Sequence, residues 1–142
     1  MSEINRKRPI QCRAVHFKNQ LLLAVMKQLA GNAAISFEGD LSSLDLLAMP
    51  GASADETPAL KRNTVSPRQD FVILPLELDT IRPIIKAMGG TIPKSILHIQ
   101  IAKADKLEFG AYDQFHLGAL FVGEALGGDF LDVMVSEGIL ER

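Results

Sequence analysis

The chain has 142 residues, of which 47% are hydrophobic and 23% are charged. These values are close to the averages of soluble globular proteins and exclude a disordered chain, a collagen-like fibre and a disulfide scaffold. The length corresponds to one domain of about 100–150 residues, which buries enough surface to fold without a metal or a disulfide. Cys12 is the only cysteine, so an internal disulfide is excluded and a reducing compartment fits best.

The net charge of −2 combines two unequal parts. Residues 1–30 contain six Lys and Arg against one Glu, a net charge of +5, whereas residues 31–142 contain nine Lys and Arg against sixteen Asp and Glu, a net charge of −7. We therefore expect residues 1–13 to form a basic N-terminal arm and residues 14–142 to form a single domain. A basic arm can contact phosphates, but no aromatic residues are interleaved with its cations, which argues against nucleic acid. Docking on an acidic surface of the same or another molecule, or full solvation, are the alternatives.

Targeting and membrane signals are weak in this sequence. The basic run at residues 6–8 is not followed by the apolar stretch of a secretory signal. The most apolar window, Leu21 to Met26, has six residues, whereas a membrane span needs about 20. We expect a cytoplasmic chain without membrane contact.

The first third of the domain predicts a helix, a strand and a second short helix. Apolar residues cover more than one face of Phe17–Ala30, which is typical of a largely buried helix, and Gly31-Asn32 is a natural stop. Ala34–Glu38 alternates as a short strand, and Leu41–Met49 is compatible with a short helix.

Residues 51–69 are rich in Ser, Thr, Asp, Asn and Pro and predict a long mobile loop. Loops of this length within a compact domain are uncommon and are usually functional or disordered. The alternative to a mobile insertion is a flap over a binding surface, where Lys61, Arg62 and Arg68 would meet an anion.

The middle of the chain contains the clearest strand and helix. Phe71–Glu77 is a continuous apolar run interrupted by Pro75, which cannot donate to a strand ladder and so belongs at an edge or a bulge. After Asp79 as the expected cap, apolar residues follow at helical spacing up to Gly89-Gly90. They are Ile81, Ile84, Ile85 and Met88.

Ile96–Lys103 and Leu107–Tyr112 alternate in hydrophobicity and predict a β-hairpin. If the apolar residues of both strands share one face, odd-numbered residues of one strand must lie opposite odd-numbered residues of the other. This pairing, called equal parity below, needs an odd number of connecting residues. We predict a three-residue connection, Ala104-Asp105-Lys106.

Two further helices are expected near the C-terminus. Gln114–Leu126 is compatible with a helix after Asp113, although its glycines leave Ala119–Val122 as an alternative strand. Asp129 is expected to cap a final helix at Phe130–Glu137, after which residues 139–140 return to the core.

Together these elements predict the α+β class. We expect a single sheet of about four mostly antiparallel strands, including the 96–112 hairpin, covered by three to four helices. A doubly wound α/β fold is less consistent with the pattern, because no strand–helix junction carries a phosphate-binding signature.

No recognised catalytic or metal-binding motif occurs in the chain. The soft metal ligands Cys12, His16, His98 and His116 do not form a tetrahedral zinc pattern, and we predict neither a metal nor a cofactor. Carboxylates flank the first predicted strand, where solvated turn and cap chemistry is expected, with a divalent-cation site as the alternative. They are Glu38, Asp40 and Asp45.

The most suggestive group of polar residues is on the outer face of the hairpin and directly after it. With the apolar residues inward, the other face presents His98, Gln100, Glu108 and Tyr112. The candidates for acid–base chemistry are His98, Tyr112, Asp113 and His116. The candidates for ligand binding are His98, Gln100, Glu108, Tyr112 and His116, joined by Lys61 and Arg62.

The function expected from these observations is a non-catalytic binding or regulatory domain that works with a protein partner or as a homo-oligomer. One alternative is a small-ligand-binding protein with its pocket on the polar face of the 96–112 hairpin, closed by residues 51–69. Another is a small acid–base enzyme that uses the same residues.

Overall fold

The computed structural model describes residues 14–116 and 119–141, and its largest element is an antiparallel sheet of five strands. The predicted basic arm and Cys12 lie outside the described residues. In chain order the strands are β1 Ala14–Val15, β2 Ala33–Gly39, β3 Asp70–Leu76, β4 Ile96–Lys103, β5 Lys106–Ala111, β6 Leu120–Val122 and β7 Leu140–Glu141. The helices are α1 Lys18–Leu29, α2 Ile81–Ala87 and α3 Gly127–Ser136, and Leu46–Ala48 forms one turn of 3-10 helix. None of the helices in these two ranges is long and apolar enough to cross a membrane.

The strand order of the main sheet is β3-β2-β4-β5-β6, and every neighbouring pair is antiparallel. Strands β1 and β7 pair separately, next to α3. The predicted α+β class and the hairpin are confirmed, with five strands in the main sheet where about four were expected. Pro75 lies on the edge strand β3 and is exposed, as its missing N–H requires.

One face of the sheet packs against the helices and forms the main core. Ile35 and Phe37 of β2 and Ile99 and Ile101 of β4 are at most 1% exposed. The buried residues of α1 cover them; they are Leu21, Leu22, Val25, Met26 and Leu29. Because full burial of such a side chain stabilises the fold by about 1.5–3 kcal/mol, this layer supplies most of the hydrophobic driving force.

The hairpin keeps most of its predicted faces, but its connection is shorter than predicted. Only Ala104 and Asp105 connect the strands, both with positive φ, 52° and 64°, as in two-residue turns that match the strand twist. The predicted three-residue connection is therefore wrong. The register shifts between Ile101 and Ala102, which leaves Glu108 without a partner on β4. This β-bulge restores the parity beyond it, so the apolar residues there still face the core, whereas Leu107 packs with Ala102 on the opposite face.

The segment after β5 is a turn and a strand. The helix predicted over Gln114–Leu126 is wrong, and the alternative strand at Ala119–Val122 is confirmed by β6. Asp113, Gln114 and Phe115 have positive φ values of 51°, 58° and 66°, a conformation that costs a non-glycine residue about 1–2 kcal/mol. Burial of the Phe115 ring in the main core offsets part of this cost.

The helix ends differ from the predicted caps. Thr80, not Asp79, is at the N-cap of α2, where its Oγ1 accepts the N–H of Glu77 at 2.9 Å. Helix α3 begins before Asp129, which therefore lies in its first turn. The short helix expected at Leu41–Met49 is reduced to the 3-10 turn.

Gly39 allows β2 and β4 to approach each other closely at the end of their ladder. Its φ is +154°, and a Cβ there would collide with the carbonyl oxygen of Ser95 and come within 3.0 Å of Ile96 Cα. The register of the two strands shifts between Glu38 and Gly39. The close approach is made by backbone, which cannot move aside without disturbing the ladder.

We expect Gly39→Ala to lower the free energy of unfolding by about 2–3 kcal/mol, the cost of forcing atoms into packed space. Gly128→Ala is the matched control, because Gly128 is helical and a Cβ there meets nothing within 4 Å; its effect should stay within about 1 kcal/mol. Urea unfolding of the three chains measures both effects. Equal stability of the two variants would contradict the close approach.

Candidate functional site

The predicted polar face of the hairpin exists, and the structure buries it. Ser36 and Glu38 of β2 lie opposite Gln100 and His98 of β4, respectively, on the face away from the helices. These four side chains, here called the polar cluster, are at most 5% exposed. Since buried polar atoms need hydrogen-bond partners, the surroundings of the cluster must supply them.

Residues 59–64, here called the covering segment, pack over this face of the sheet. Leu60 is 1% exposed and joins Phe71, Ile73 and Ala102 in a second apolar cluster. Further upstream, Ser53 and Ile73 exchange backbone hydrogen bonds of 3.0 and 2.7 Å. The predicted loop at 51–69 therefore lies against the polar face, and its predicted mobility remains a prediction.

The Glu38 carboxylate holds the end of the covering segment. It accepts the backbone N–H of Asn63 at 2.7 Å and that of Thr64 at 3.1 Å, and the residue is 1% exposed. The solvated turn chemistry expected for Glu38 is wrong. Glu38 thus makes two hydrogen bonds to the covering segment, whereas His98 and Gln100 make one each.

His98 contacts the same segment in a defined tautomer. Its Nδ1 accepts the backbone N–H of Asp113 at 3.1 Å, so the ring proton is on Nε2. Nε2 is 2.7 Å from Thr64 Oγ1 and therefore donates to it. A nucleophile–base pair needs the opposite polarity, with Nε2 accepting the hydroxyl proton. In this arrangement His98 positions Thr64 and does not activate it.

Gln100 and Tyr112 complete the buried network. Gln100 Nε2 donates to Ser36 Oγ at 3.2 Å and to the carbonyl of Lys61 at 2.9 Å. The Tyr112 hydroxyl donates to Gln100 Oε1 at 3.1 Å, and its ring lies 5.7 Å from that of His98. Burial raises the pKa of Tyr112 to about 12.

Gly110 lies beside this network. A glycine within a strand can mark a place where a ligand or another backbone approaches closely. A Cβ there would be 2.6 Å from the Tyr112 hydroxyl and 2.5 Å from Phe121 Cε1. Those two rings stack with centroids 6.3 Å apart. The space above Gly110 is therefore filled by side chains of the same chain.

The remaining predicted site residues are distributed around the cluster. Glu108 is buried and accepts the N–H of Ala125 at 3.1 Å, toward β6. Asp113 contacts His98 through its backbone N–H, and the side chains of Asp113 and His116 are exposed. The structure thus brings His98, Gln100 and Tyr112 into one network, with Asp113 and His116 at its rim.

The predicted cations of the loop differ in their environments. Arg62 lies over the Phe71 ring at 5.0 Å and pairs with Glu56 at 3.5 Å, so the chain itself supplies an anion to it. Its Nε is buried without a hydrogen-bond partner among the described residues. Lys61 is exposed, and its carbonyl oxygen is the atom that contacts Gln100.

No group of three or more His, Cys, Asp or Glu residues with metal-binding geometry occurs within residues 14–116 and 119–141. Within these residues, the candidate metal ligands named from the sequence contact other residues of the chain. His16 Nε2 is 2.9 Å from Glu141 Oε1, beside the β1–β7 pair and not in the main sheet that holds the polar cluster. Asp40 turns back on Ser42, and these hydrogen bonds lower its pKa.

A second candidate site, which the sequence did not indicate, lies in the helical layer. A partly open groove of about 580 Å³ runs between α1 and α2. Its apolar lining consists of Leu22, Leu23, Leu78, Ile81, Ile85, Met88 and Ile92. Lys27 and Arg82 also line it, together with Asn19, Gln20, Gly90 and Thr91.

Comparisons with protein-family models, with curated proteins and with solved structures return no match. The polar cluster has its hydrogen bonds satisfied by the covering segment, whereas the groove presents apolar and cationic side chains to solvent.

We expect Thr64→Val to destabilise the protein by about 1–3 kcal/mol, because His98 Nε2–H loses its acceptor while remaining buried. Val65→Thr is the matched control at the neighbouring position, which is 92% exposed, and should change stability by less than about 0.5 kcal/mol. Urea unfolding measures the stabilities, and amide exchange at Asn63 should accelerate only in Thr64→Val. Indistinguishable variants would rule out the proposed role of the hydroxyl.

The pKa of Tyr112 predicts a loss of stability at alkaline pH. The pKa of about 12 in the folded protein exceeds the ordinary tyrosine pKa of 10.0, so the unfolded state ionises first. The contribution of Tyr112 is complete below pH 10 and declines as the pH rises toward 12. The chain has one Tyr and no Trp, so phenolate absorbance reports this residue alone. Tyr112→Phe should lack this component of the pH dependence; a midpoint near 10 in the folded protein would contradict it.

Proposed function

We propose that this protein binds a small molecule with an apolar body in the groove between α1 and α2. The observation that carries the proposal is the groove itself, with its volume of about 580 Å³ and its mostly apolar lining. Ligand pockets typically have roughly 300–1,000 Å³, an apolar lining and a few polar groups that orient the ligand. The groove has all three properties.

The surroundings of the groove support a preformed site. Leu22 forms part of its floor and is completely buried, and Ile81 and Met88 are 6% and 3% exposed. At one end, Asn19 Oδ1 accepts the N–H of Ile92 at 2.7 Å, which ties the start of α1 to the segment after α2. Because both helices pack on the same sheet, their separation is set by the core and needs no ligand.

The polar cluster holds the covering segment and is not the proposed ligand site. Its polar atoms are engaged by the covering segment, so a ligand there would first have to replace the hydrogen bonds to Glu38, His98 and Gln100. We therefore place ligand binding in the groove and not on the polar face of the hairpin. Association with a protein partner or as a homo-oligomer remains a prediction, which light scattering over a range of concentrations would test.

Filling the groove should abolish binding. In Ile85→Trp the larger ring occupies apolar volume that a ligand would use, and calorimetric titration with 1-decanol should show at least a tenfold loss of affinity relative to wild type. Gln20→Trp, at an exposed position that lines the groove, is the second variant in case Ile85→Trp does not fold.

The matched control is Gln28→Trp on the same helix, also exposed but outside the groove. It should bind 1-decanol as the wild type does. The proposal fails if wild type does not bind 1-decanol, or if Gln28→Trp loses as much affinity as the groove variants.

A further inference from the structure

The charged residues of the groove are both cations, Lys27 on α1 and Arg82 on α2. Among the described residues that line it there is no carboxylate. Glu77 and Asp79 flank Leu78 in the chain, yet neither lines the groove. The groove therefore combines apolar walls with positive charge.

The two cations lie toward the same end of the groove. At the start of α1, Asn19 contacts Ile92, which follows α2. Just after α1, the N–H of Gly31 donates to the carbonyl of Leu76, which precedes α2, at 3.0 Å. The helices are thus antiparallel along the groove, so Lys27, near the end of α1, and Arg82, near the start of α2, share one end.

Neither cation forms an ion pair with a described residue. Lys27 and Arg82 are exposed, and no described carboxylate is within ion-pair distance of either. An anion at this end of the groove would neutralise positive charge that no described carboxylate neutralises.

We infer that the ligand of the groove is an amphipathic carboxylate, a linear alkyl chain with one carboxylate group; this inference rests on the proposed function. The carboxylate lies between Lys27 and Arg82, and the alkyl chain extends past Leu23 and Ile85 toward Ile92. A planar guanidinium and an ammonium group at one end of the groove are suitable donors for a carboxylate.

Charge complementarity also argues against the terminal segment of this chain as the occupant. Residues 1–13 contain Arg6, Lys7, Arg8 and Arg13 against Glu3. A segment with that excess of positive charge would be repelled by Lys27 and Arg82. A small anion has no such penalty and can enter from solvent through the open side of the groove.

The test compares three ligands that differ only in the headgroup: decanoate, 1-decanol and decylammonium. Each is titrated calorimetrically into the full chain below its micelle-forming concentration. We expect decanoate to bind more tightly than 1-decanol, and decylammonium to bind most weakly. From octanoate to decanoate to dodecanoate, affinity should rise about fourfold per methylene until the groove is filled, and raised salt should weaken carboxylate binding only.

Lys27→Gln and Arg82→Gln should each lower decanoate affinity about two- to fivefold, the range of exposed ion pairs, and lower it by a larger factor than they lower 1-decanol affinity. Lys86→Gln is the matched control, since Lys86 is exposed on α2 and does not line the groove. Equal affinities for decanoate and 1-decanol, or equal effects of Lys86→Gln and the groove variants, would overturn the inference and leave the proposed function standing. Failure of every ligand to bind would overturn both.

Discussion

Burial of a polar sheet face under a loop is the constraint on which the outer half of this structure depends. Every polar atom that loses water there needs a partner within the chain, since an unsatisfied buried group costs about 1–3 kcal/mol. Glu38 receives two backbone N–H groups, His98 contacts Thr64, and Gln100 contacts the Lys61 carbonyl. These partners all lie within residues 61–64, so the path of the covering segment over the sheet is set by directional contacts as well as by the burial of Leu60.

The two faces of the sheet are consequently stabilised in different ways. The helical face relies on apolar area, which tolerates small displacements because the hydrophobic effect is not directional. The outer face has a smaller apolar cluster and depends on the geometry of hydrogen bonds. The groove belongs to the helical face, between α1 and α2, so the proposed ligand and the covering segment occupy opposite faces of the sheet.

Local pattern predicted much of the candidate polar site. Alternation in the hairpin placed His98, Gln100, Glu108 and Tyr112 on one face, and the composition of residues 51–69 suggested a flap. Neither signal revealed that β2 adds Ser36 and Glu38 to that face. Their alternation with Ile35 and Phe37 was a usable signal, but which strand lies beside β4 depends on contacts about 60 residues apart in the chain.

Other departures have equally specific causes. The three-residue hairpin turn was predicted because equal parity of the two strands needs an odd number of connecting residues. A two-residue turn together with a β-bulge at Glu108 also gives equal parity beyond the bulge. The segment after β5 had the apolar content of a helix, but pairing with β5 and burial of Phe115 outweighed local preference. The groove had no sequence signature, because Lys27 and Arg82 are 55 residues apart and become neighbours of one cavity only when their helices pack on the sheet.

The sequence by itself determined the α+β class, most of the helices and strands and the face on which most of the hairpin residues lie, because periodicity within a segment depends on local backbone geometry. Only the tertiary structure decided that the polar face is covered, that Glu38 belongs to it and that two cations share an apolar groove. Those features depend on pairing and packing between distant segments, and their free energies arise only when the segments meet.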